Sequence, residues 1–129
     1  MNTGIVSIEF TFPTSKSLAN YNFHMTTARL VLSTAASREE AQKLAQTLVH
    51  EQVAACVNVL GPISSTYRWK SNIENAEEFL LIIKTTAERF AAVRDVLLQH
   101  HSYELPECIS VAIDEGSSEY LKWIAGNVL

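Results

Sequence analysis

A nine-residue stretch in the last third of the chain combines side chains that bind metals with side chains that end helices. Residues 99–107 read QHHSYELPE, in which His100 and His101 are adjacent and Glu104 follows three positions later. Imidazole and carboxylate groups are ligands of divalent metals. Adjacent side chains diverge by ~100° on a helix, and they point to opposite faces of a strand. The two histidines therefore need a further ligand, such as Glu104, to hold one ion.

The same stretch also supports a purely structural interpretation. Pro106 cannot continue a helix, and His100 would be favourable at a helix C-terminus, where a positive charge meets the negative end of the helix dipole. The ring of Tyr103 would pack while its hydroxyl finds a hydrogen-bond partner. The sequence leaves both interpretations open.

The pattern of apolar residues before this stretch predicts the elements that position it. Residues 29–35, RLVLSTA, are apolar and β-branched and predict a buried strand. Ser37 and Glu40 have the spacing of a capping box, in which each side chain binds the other residue's backbone N–H at a helix start. A helix is therefore expected over about residues 38–52. Its apolar face consists of Ala41, Leu44, Ala45, Leu48 and Val49.

A long hairpin is predicted next. Residues 54–60 are strand-like, and Gly61-Pro62 bends or bulges the strand because proline cannot donate to a ladder. Apolar and polar residues then alternate over residues 63–70 with the period of a strand. Ser71-Asn72 is expected to form the turn, and residues 73–84 return as the second arm. Both arms exceed the usual ~5–6 residues of a strand, so the tip should project beyond the sheet.

A second helix and a last strand complete the pattern. Thr85 and Glu88 suggest another capping box, and the apolar residues after them predict a helix that ends near residues 99–100. Residues 108–114, CISVAID, predict another buried strand, and residues 117–125 predict a short closing helix. The order β-α-β-β-α-β plus a final helix predicts an α+β protein of the ferredoxin-like type, with an antiparallel sheet covered by helices on one face.

The bulk composition excludes several classes of protein. The chain has 129 residues, of which 47% are hydrophobic and 19% charged, and this fits one globular domain. Its net charge is −4 and no run of lysine or arginine occurs, so no nucleic-acid partner is expected. No apolar run approaches the ~20 residues of a membrane span, so no membrane partner is expected. Cys56 and Cys108 are expected to be buried small hydrophobes rather than a disulfide framework, which suits a cytoplasmic protein.

The first residues differ in pattern from the rest of the chain. Residues 1–27 are predicted to be an irregular N-terminal extension, and residues 28–129 a single ferredoxin-like domain. The extension lacks a basic start and carries Glu9 in its most apolar part, so a secretory signal is not expected. The alternative is an additional edge strand over residues 5–12.

The projecting hairpin has a consequence for assembly. It carries Tyr67, Trp69, Ile73 and Phe79 on strands whose edges would be unpaired. Such edges invite aggregation unless they are covered, and a closed ring of identical subunits covers them. We therefore predict a homotrimer in which the arm of one chain pairs with the sheet of the next.

Several blocks of sequence, taken in order, resemble the divalent-cation tolerance (CutA) family. They are RLVLSTAASREEAQKLAQTLV, AACVNVLGPISSTYRWKSNIE, LLIIKT, HHSYELPE and YLKWI, and they cover about residues 28–129. The resemblance implies a trimer of ferredoxin-like protomers, similar in architecture to the PII nitrogen-regulatory proteins. It also implies a part in the tolerance of copper or another divalent metal, without an established enzymatic reaction.

The resemblance also implies a set of metal ligands. His100 and His101 match two histidines proposed as copper ligands in bacterial relatives, and Glu104 is the further ligand that the pair needs. Ser33 stands where some bacterial members carry a cysteine, another proposed ligand, so this chain lacks the thiolate that favours Cu(I). Ser71 stands where a glycine is usual at the hairpin turn, which affects local geometry more than chemistry.

A cleft between subunits is the second site that the resemblance implies, since it brings the loop near the hairpin. The expected residues of this interprotomer cleft are Tyr67, Trp69, Glu74, Lys84, Tyr103 and Glu107. Aromatic walls with a few charges suit a small ligand. The alternative is that the same residues only seal the trimer.

The sequence contains no recognisable catalytic set. It has no nucleophile motif, no glycine-rich phosphate loop and no Cys-x-x-Cys pair, so no enzymatic activity is expected. The first hypothesis is therefore a trimeric, cytoplasmic protein that binds copper or another divalent metal and confers tolerance of it. The alternative is a PII-like sensor or trimeric scaffold, whose cleft binds a small organic anion or a partner protein and for which metal is incidental.

Overall fold

A computed structural model of the protein describes residues 26–129. The predicted irregular extension over residues 1–27, and the alternative strand over residues 5–12, therefore lie almost wholly outside the described residues. Within the described range, no helix is long and apolar enough to cross a membrane.

The described chain forms a four-stranded antiparallel sheet with three α helices and one short 3-10 helix. The elements are β1 (Ala28–Ala35), α1 (Arg38–His50), β2 (Cys56–Trp69), β3 (Asn72–Thr86), the 3-10 helix Ala87–Arg89, α2 (Phe90–His100), β4 (Ile109–Ala112) and α3 (Ser118–Gly126). The strands lie in the order β2-β3-β1-β4, and each neighbouring pair is antiparallel. The predicted α+β class and the predicted order of elements are confirmed.

The apolar core lies between one face of the sheet and helices α1 and α2. Side chains alternate across a strand, so Val31 of β1 shares a face with Ile83, its partner on β3. Both are fully buried, as is Leu48 of α1. Truncation of a leucine buried in this way to alanine costs about 2–5 kcal/mol of stability. This layer fixes the relative positions of β1, β3 and α2, which carry the candidate site.

The start of α1 forms only half of the predicted capping box. The Ser37 hydroxyl accepts a hydrogen bond from the backbone N–H of Glu40 at 3.1 Å, as expected of an N-cap. The Glu40 carboxylate does not complete the box by returning to Ser37. It accepts hydrogen bonds from Ser102 in the loop after α2 instead.

The hairpin of β2 and β3 is as long as predicted, but its turn lies one residue earlier. Lys70 and Ser71 form the two-residue turn, with φ of 51° and 71°, and Asn72 already pairs with Trp69. Two consecutive residues with positive φ are typical of the turns whose twist matches that of a two-stranded ribbon. The pairing and twist of the two strands therefore place the turn at Lys70 and Ser71, although asparagine is also a favourable turn residue.

The predicted irregularity at Gly61-Pro62 is confirmed. The pairing of β2 with β3 shifts its register between Leu60 and Ile63. A Cβ atom on Gly61 would lie 2.7 Å from a ring carbon of Phe79, which explains a residue without a side chain at this position. The shift sets which residues of the outer arm face the same side as the cleft described below.

The predicted capping box of Thr85 and Glu88 is wrong. Thr85 lies inside β3, is fully buried, and donates its hydroxyl to the carbonyl oxygen of Val53 at 2.7 Å. The 3-10 helix precedes α2, and Thr86 at its N-cap makes no capping hydrogen bond with its side chain among the described residues. The spacing of a capping box was present, but the strand continued through it.

The prediction of a buried last strand is also wrong for the chain as described. β4 spans only Ile109–Ala112, and all four of its residues are exposed. Among the described strands it pairs with β1 alone, so one of its edges is open. Its apolar residues, Ile109 and Val111, lie on the sheet face opposite the core, which α1 and α2 leave uncovered.

Helix α3 lies against that second face of the sheet. Ser117 caps it by accepting a hydrogen bond from the N–H of Tyr120, and Ile124 is its buried residue. The Lys84 ammonium of β3 lies 5.6 Å from the centre of the Tyr120 ring. The predicted closing helix is thereby confirmed, displaced by a single residue.

Candidate functional site

The loop after α2 begins with two histidines that face different environments. His100 is the last residue of α2 and is exposed to solvent. His101 is the C-cap residue, and its backbone N–H donates to the carbonyl oxygen of Leu97 at 2.9 Å. The side chain of His101 is completely buried. The helix end thus separates the two rings, as the divergence of adjacent side chains requires.

Both ring nitrogens of His101 are engaged within the protein. Nε2 lies 2.7 Å from the carbonyl oxygen of Thr34, and Nδ1 lies 3.0 Å from the backbone nitrogen of Tyr103. A carbonyl oxygen only accepts and a backbone N–H only donates. Nε2 therefore carries the proton, and Nδ1 accepts from Tyr103. No lone pair of His101 is free for a metal in this arrangement.

The Glu40 carboxylate joins α1 to the same loop. It accepts hydrogen bonds from the backbone N–H of Ser102 at 2.8 Å and from the Ser102 hydroxyl at 2.9 Å. It also lies 3.5 Å from Nδ1 of His101. Burial acts to raise the pKa of Glu40, but the hydrogen bonds from Ser102, together with the nearby His101 and the Ala36 backbone, outweigh it and hold the pKa below its ordinary value. The carboxylate is therefore a stable anchor for the loop at neutral pH.

Tyr103 extends from the loop to the hairpin. Its hydroxyl donates to Oε2 of Glu78 at 2.6 Å, and its ring centre lies 4.7 Å from that of His101. Burial and the neighbouring Glu78 carboxylate raise the pKa of Tyr103 far above its ordinary value. The phenol consequently stays protonated and acts as the donor to Glu78.

A cavity of about 1040 Å³ lies between the loop and the hairpin. It is lined by Thr34, Ile63, Ser65, Thr66, Tyr67, Trp69, Glu78, Leu80, Ser102, Tyr103, Glu104, Leu105, Pro106, Glu107, Cys108 and Ile109. We call it the cleft. It is open to solvent on the side of the sheet that α1 and α2 do not cover, and all of its described walls come from one chain.

Four of the six residues predicted for a cleft are brought together here. Tyr67 and Trp69 line it from β2, and Tyr103 and Glu107 from the loop. The other two do not line it. Glu74 lies opposite Tyr67 in the strand register. Lys84 lies near α3, with its Nζ 3.4 Å from the Tyr120 hydroxyl.

Glu78 is the cleft residue that sequence reasoning missed. It lies on β3, on the same face as Leu80, and only 8% of its surface is exposed. The available signal was a glutamate at a position where the alternation of β3 expects an apolar side chain. Such an interruption indicates a polar partner in the fold, but the partner, Tyr103, lies 25 residues away along the chain.

The predicted metal ligands do not form a metal centre within one chain. Among residues 26–129, no group of three or more histidine, cysteine, aspartate or glutamate side chains is arranged to hold an ion. Glu104 lines the cleft, His100 is exposed and His101 is buried. The set of His100, His101 and Glu104 stays a prediction, which requires a rearranged ring or ligands from another chain.

Ser33 and the two cysteines do not complete such a centre among residues 26–129. Ser33 is fully buried, and its hydroxyl has no hydrogen-bond partner within the described residues. Cys56 and Cys108 are free and half-buried. Burial raises the pKa of the Cys108 thiol, so it stays neutral and behaves as a small apolar wall of the cleft.

Comparison with known proteins identifies the family. A model of the CutA1 divalent ion tolerance protein family matches residues 29–127. The chain belongs to the CutA1 family. The resemblance seen in the sequence blocks is thus confirmed, and it extends through the loop, the hairpin and α3.

Individual relatives agree with this assignment. The divalent-cation tolerance protein CutA of Thermus thermophilus is 39% identical over 98 residues, which span 76% of this chain and 95% of the relative. The protein of the same name from Archaeoglobus fulgidus is 45% identical over 91 residues, which span 70% of this chain and 88% of the relative. Both are named as tolerance proteins and not as enzymes.

Solved CutA structures share the fold. CutA from Xylella fastidiosa superimposes with a TM-score of 0.78 at 39% identity, over 80% of this chain and 99% of that one. CutA1 from Oryza sativa gives a TM-score of 0.78 at 31% identity, over 82% of this chain and 97% of that one. The CutA1 family therefore accounts for the whole of the sheet and its helices.

Proposed function

We propose that this protein acts in divalent-cation tolerance as a homotrimeric, non-catalytic binding protein of the ferredoxin-like class. The observation that carries the proposal is the CutA1 family match over residues 29–127. The relatives from Thermus thermophilus and Archaeoglobus fulgidus are named divalent-cation tolerance proteins. The test compares growth of source cells without the gene, with the gene, and with an empty vector across a series of copper and zinc concentrations. Equal growth of all three at every concentration would contradict the proposal.

Assembly into a trimer is supported by the surfaces that one chain leaves uncovered. Leu60, Ile109 and Val111 are exposed apolar residues on the sheet face opposite α1 and α2. The open edge of β4 and the projecting hairpin add unpaired backbone groups, which a neighbouring subunit would satisfy. The strand order β2-β3-β1-β4 supports the ferredoxin-like classification of each protomer.

Light scattering after gel filtration tests the assembly. We expect a mass three times that of the 14.4 kDa chain. Val111→Asp places a charge on the apolar sheet face and should lower the mass, whereas Ser110→Asp places the same charge on the other face of β4 and should not. A monomeric wild type at micromolar concentration would refute the trimer.

Copper or another divalent metal is the proposed ion, with His100 and Glu104 as ligands. His100 is exposed, whereas His101 can join only if its ring releases Thr34 or Tyr103. Calorimetric titration of Cu(II) into wild type and His100→Ala should show at least about tenfold weaker binding in the variant. His50→Ala is the matched control, because His50 is also an exposed last residue of a helix. Equal affinities in all three would remove His100 from the site.

The proposed location is the cytoplasm. The two cysteines of the sequence are free where the structure describes them, which suits a reducing compartment. The compartments of relatives differ by name, since the solved Archaeoglobus fulgidus protein is titled periplasmic and the Arabidopsis thaliana relative chloroplastic. Fractionation of source cells with an antibody to the protein decides between them.

The second candidate function is a PII-like sensor or scaffold that uses the cleft, with metal incidental. The cavity of about 1040 Å³, with aromatic and apolar walls, favours this candidate. A ligand that binds only the native state raises the melting temperature. A thermal-shift screen of metabolites in the presence of a chelator would therefore reveal it, and the absence of any shift at millimolar concentrations would contradict it.

A further inference from the structure

We propose that Arg68, near the hairpin tip of one subunit, forms an ion pair with the acidic rim of the cleft in the next subunit. The acidic rim consists of Glu104 and Glu107. The inference rests on the homotrimer of the proposed function, and it names the residues by which one copy recognises the next. The cleft is then a docking surface for a second copy of this chain, and its acidic charge is neutralised in the assembly.

The outer part of the hairpin has no neighbouring strand besides its own partner. β1 pairs with β3 only as far as Phe79. Beyond that point, residues 63–69 pair with residues 72–78, and among the described strands nothing else pairs with either segment. Seven residues of strand extend about 23 Å, and a ribbon of two strands is only marginally stable in water. This outer arm is therefore the part of the chain that reaches a neighbouring subunit.

Arg68 is a cation that its own hairpin does not pair. It lies opposite Ile73, and the next residue pair on the same face of the arm is Thr66 and Asn75, which are hydrogen-bonded to each other at 2.8 Å. Neither pair contains a carboxylate. Within residues 26–129 Arg68 forms no salt bridge, and it is exposed. Its guanidinium is therefore free to bind a carboxylate of another subunit.

The cleft carries the opposite charge. Its described lining residues include Glu78, Glu104 and Glu107, and no lysine, arginine or histidine. Glu104 and Glu107 are exposed in a single chain. When a second subunit covers the cleft, these carboxylates lose water, which is costly unless a cation replaces it. Because the chain that forms the cleft lines it with no cation, we expect the covering subunit to supply one.

Among the cations on the described strands, Arg68 is the one without a partner. Arg29 donates to the carbonyl oxygens of Thr26 and Ala28. Lys84 is 3.4 Å from the Tyr120 hydroxyl of α3. A guanidinium also suits the contact, because its planar fork matches a carboxylate and is less strongly hydrated than an ammonium group.

The position of Arg68 fits a ring of subunits. Tyr67 and Trp69 line the cleft of their own chain, and Arg68 lies on the opposite face of the arm because side chains alternate along a strand. The surface that supplies the cation therefore differs from the surface that receives it. Such head-to-tail contacts generate closed rings when the rotation between subunits permits. A ring of three uses each Arg68 and each acidic rim once.

Subunit exchange between trimers tests the ion pair. Unlabelled and ¹⁵N-labelled protein are mixed, and native mass spectrometry follows the formation of mixed trimers. Arg68→Glu places like charges at the contact and should accelerate exchange at least about tenfold. Lys43→Glu is the matched control, since it changes net charge equally on the exposed face of α1, and it should exchange like wild type. A monomeric Arg68→Glu beside a trimeric Lys43→Glu would support the inference equally. Equal exchange in Arg68→Glu and wild type would overturn it.

Charge reversal identifies the partner of Arg68. In the Arg68→Glu background, Glu107→Arg and Glu104→Arg each restore an attraction between tip and rim. At least one of them should return exchange most of the way to the wild-type rate. Glu51→Arg adds the same charge at the exposed C-cap of α1 and should not. Rescue by neither rim reversal, or equal rescue by Glu51→Arg, would overturn the inference.

A milder variant covers the case in which Arg68→Glu does not fold. Arg68→Gln removes the charge without adding a repulsion, and it should exchange faster than wild type by a smaller factor. Raising the ionic strength from about 0.05 M to about 1 M screens charges, so it should accelerate the wild type more than Arg68→Gln. Equal responses to salt would overturn the inference.

Failure of this inference is distinguishable from failure of the proposed function. If the wild type is a trimer and none of the Arg68 variants alters exchange, the inference alone falls. If the wild type is a monomer at micromolar concentration, the homotrimer falls with it. The growth comparison across copper and zinc concentrations judges the tolerance function independently of either result.

Discussion

The loop after α2 has two sides that differ in how completely their polar groups are paired. On one side, His101 uses both ring nitrogens, and Glu40 accepts two hydrogen bonds from Ser102. On the other side, Glu78 receives one hydrogen bond from the described residues, and it lines the cleft together with the partly exposed rings of Tyr67 and Trp69. We call these the closed side and the open side of the loop.

The difference in pairing between the two sides separates groups that stabilise the fold from groups that can bind a ligand. The residue type of His101 and its neighbours in the sequence make it a candidate metal ligand. Both of its ring nitrogens, however, are used in hydrogen bonds within the protein. Glu78 stands in a strand with no motif around it, yet it lines the cleft and receives only one hydrogen bond from the described residues. A polar group whose hydrogen bonds are all made within the protein stabilises the fold, whereas a carboxylate that lines a cavity and has an oxygen left over is a candidate binding group.

The largest expected effect is the loss of the closed side. His101→Ala leaves a buried void and deprives the Thr34 carbonyl and the Tyr103 N–H of their partner. We expect the free energy of unfolding to fall by about 2–4 kcal/mol, measured by urea denaturation with a chelator present. His100→Ala removes an exposed ring and should change it by less than about 0.5 kcal/mol.

The two histidine variants are compared at one protein concentration, because assembly would couple stability to concentration. If both variants lose the same small amount of unfolding free energy, His101 does not hold the loop in place. The distinction between the closed side and the open side then fails. If the His101→Ala loss appears only when copper is present, the metal interpretation of that residue gains instead.

A somewhat smaller effect is expected at the contact that joins the two sides. Tyr103→Phe removes the donor to Glu78 and leaves that buried carboxylate without a hydrogen bond from the described residues. We expect a loss of about 1–3 kcal/mol in urea denaturation. Tyr67→Phe is the control, since the Tyr67 side chain is exposed and its hydroxyl makes no hydrogen bond within residues 26–129.

A double-mutant cycle isolates this contact. In a Glu78→Gln background, Tyr103→Phe should cost less than in wild type, by at least about 0.5 kcal/mol, because directly bonded residues are not additive. Strict additivity of the two substitutions would mean that the 2.6 Å contact contributes nothing to stability. Tyr103 would then not fix the position of Glu78 on the open side.

The sequence predicted those elements whose apolar period is long and regular. Residues 29–35 and the apolar face of α1 lie where the pattern puts them, because one stripe of buried side chains determines each element. The capping spacing at Thr85 failed for a physical reason. A hydroxyl that bonds Val53 across the fold cannot be distinguished, by local spacing, from one that caps a helix.

The candidate site was harder to predict because its partners are distant in sequence. The resemblance to a family supplied Tyr67 and Trp69, which line the cleft. The role of His101 depends on the carbonyl oxygen of Thr34, 67 residues earlier. The burial of Glu78 depends on the loop that folds over it. Neither dependence leaves a local pattern in the sequence.

The stability of the closed side should depend modestly on pH through Glu40. Because the pKa of Glu40 is lower in the folded state than its ordinary value of 4.5, the unfolded chain binds more protons as the pH falls through that value. Linkage then predicts that the contribution of Glu40 is complete above this range and is lost as the pH falls through the folded pKa.

Urea denaturation of Glu40→Gln across acidic pH tests that linkage. The variant should lose less stability than wild type as the pH is lowered, since it has no carboxyl group to protonate. Glu39→Gln removes an exposed neighbouring carboxylate and should follow the wild type. If the Glu40→Gln curve runs parallel to the wild-type curve, Ser102 does not stabilise the ionised form.

The smallest expected effect lies at the hairpin tip, which positions Trp69 on the open side. Ser71 has φ of 71°, a conformation that glycine adopts without the steric cost of a side chain. Ser71→Gly should therefore raise the free energy of unfolding by about 0.5 kcal/mol, the relief of strain being partly offset by the greater freedom of glycine in the unfolded chain. Asn72→Gly, at the start of β3, relieves no such strain and should be neutral or destabilising.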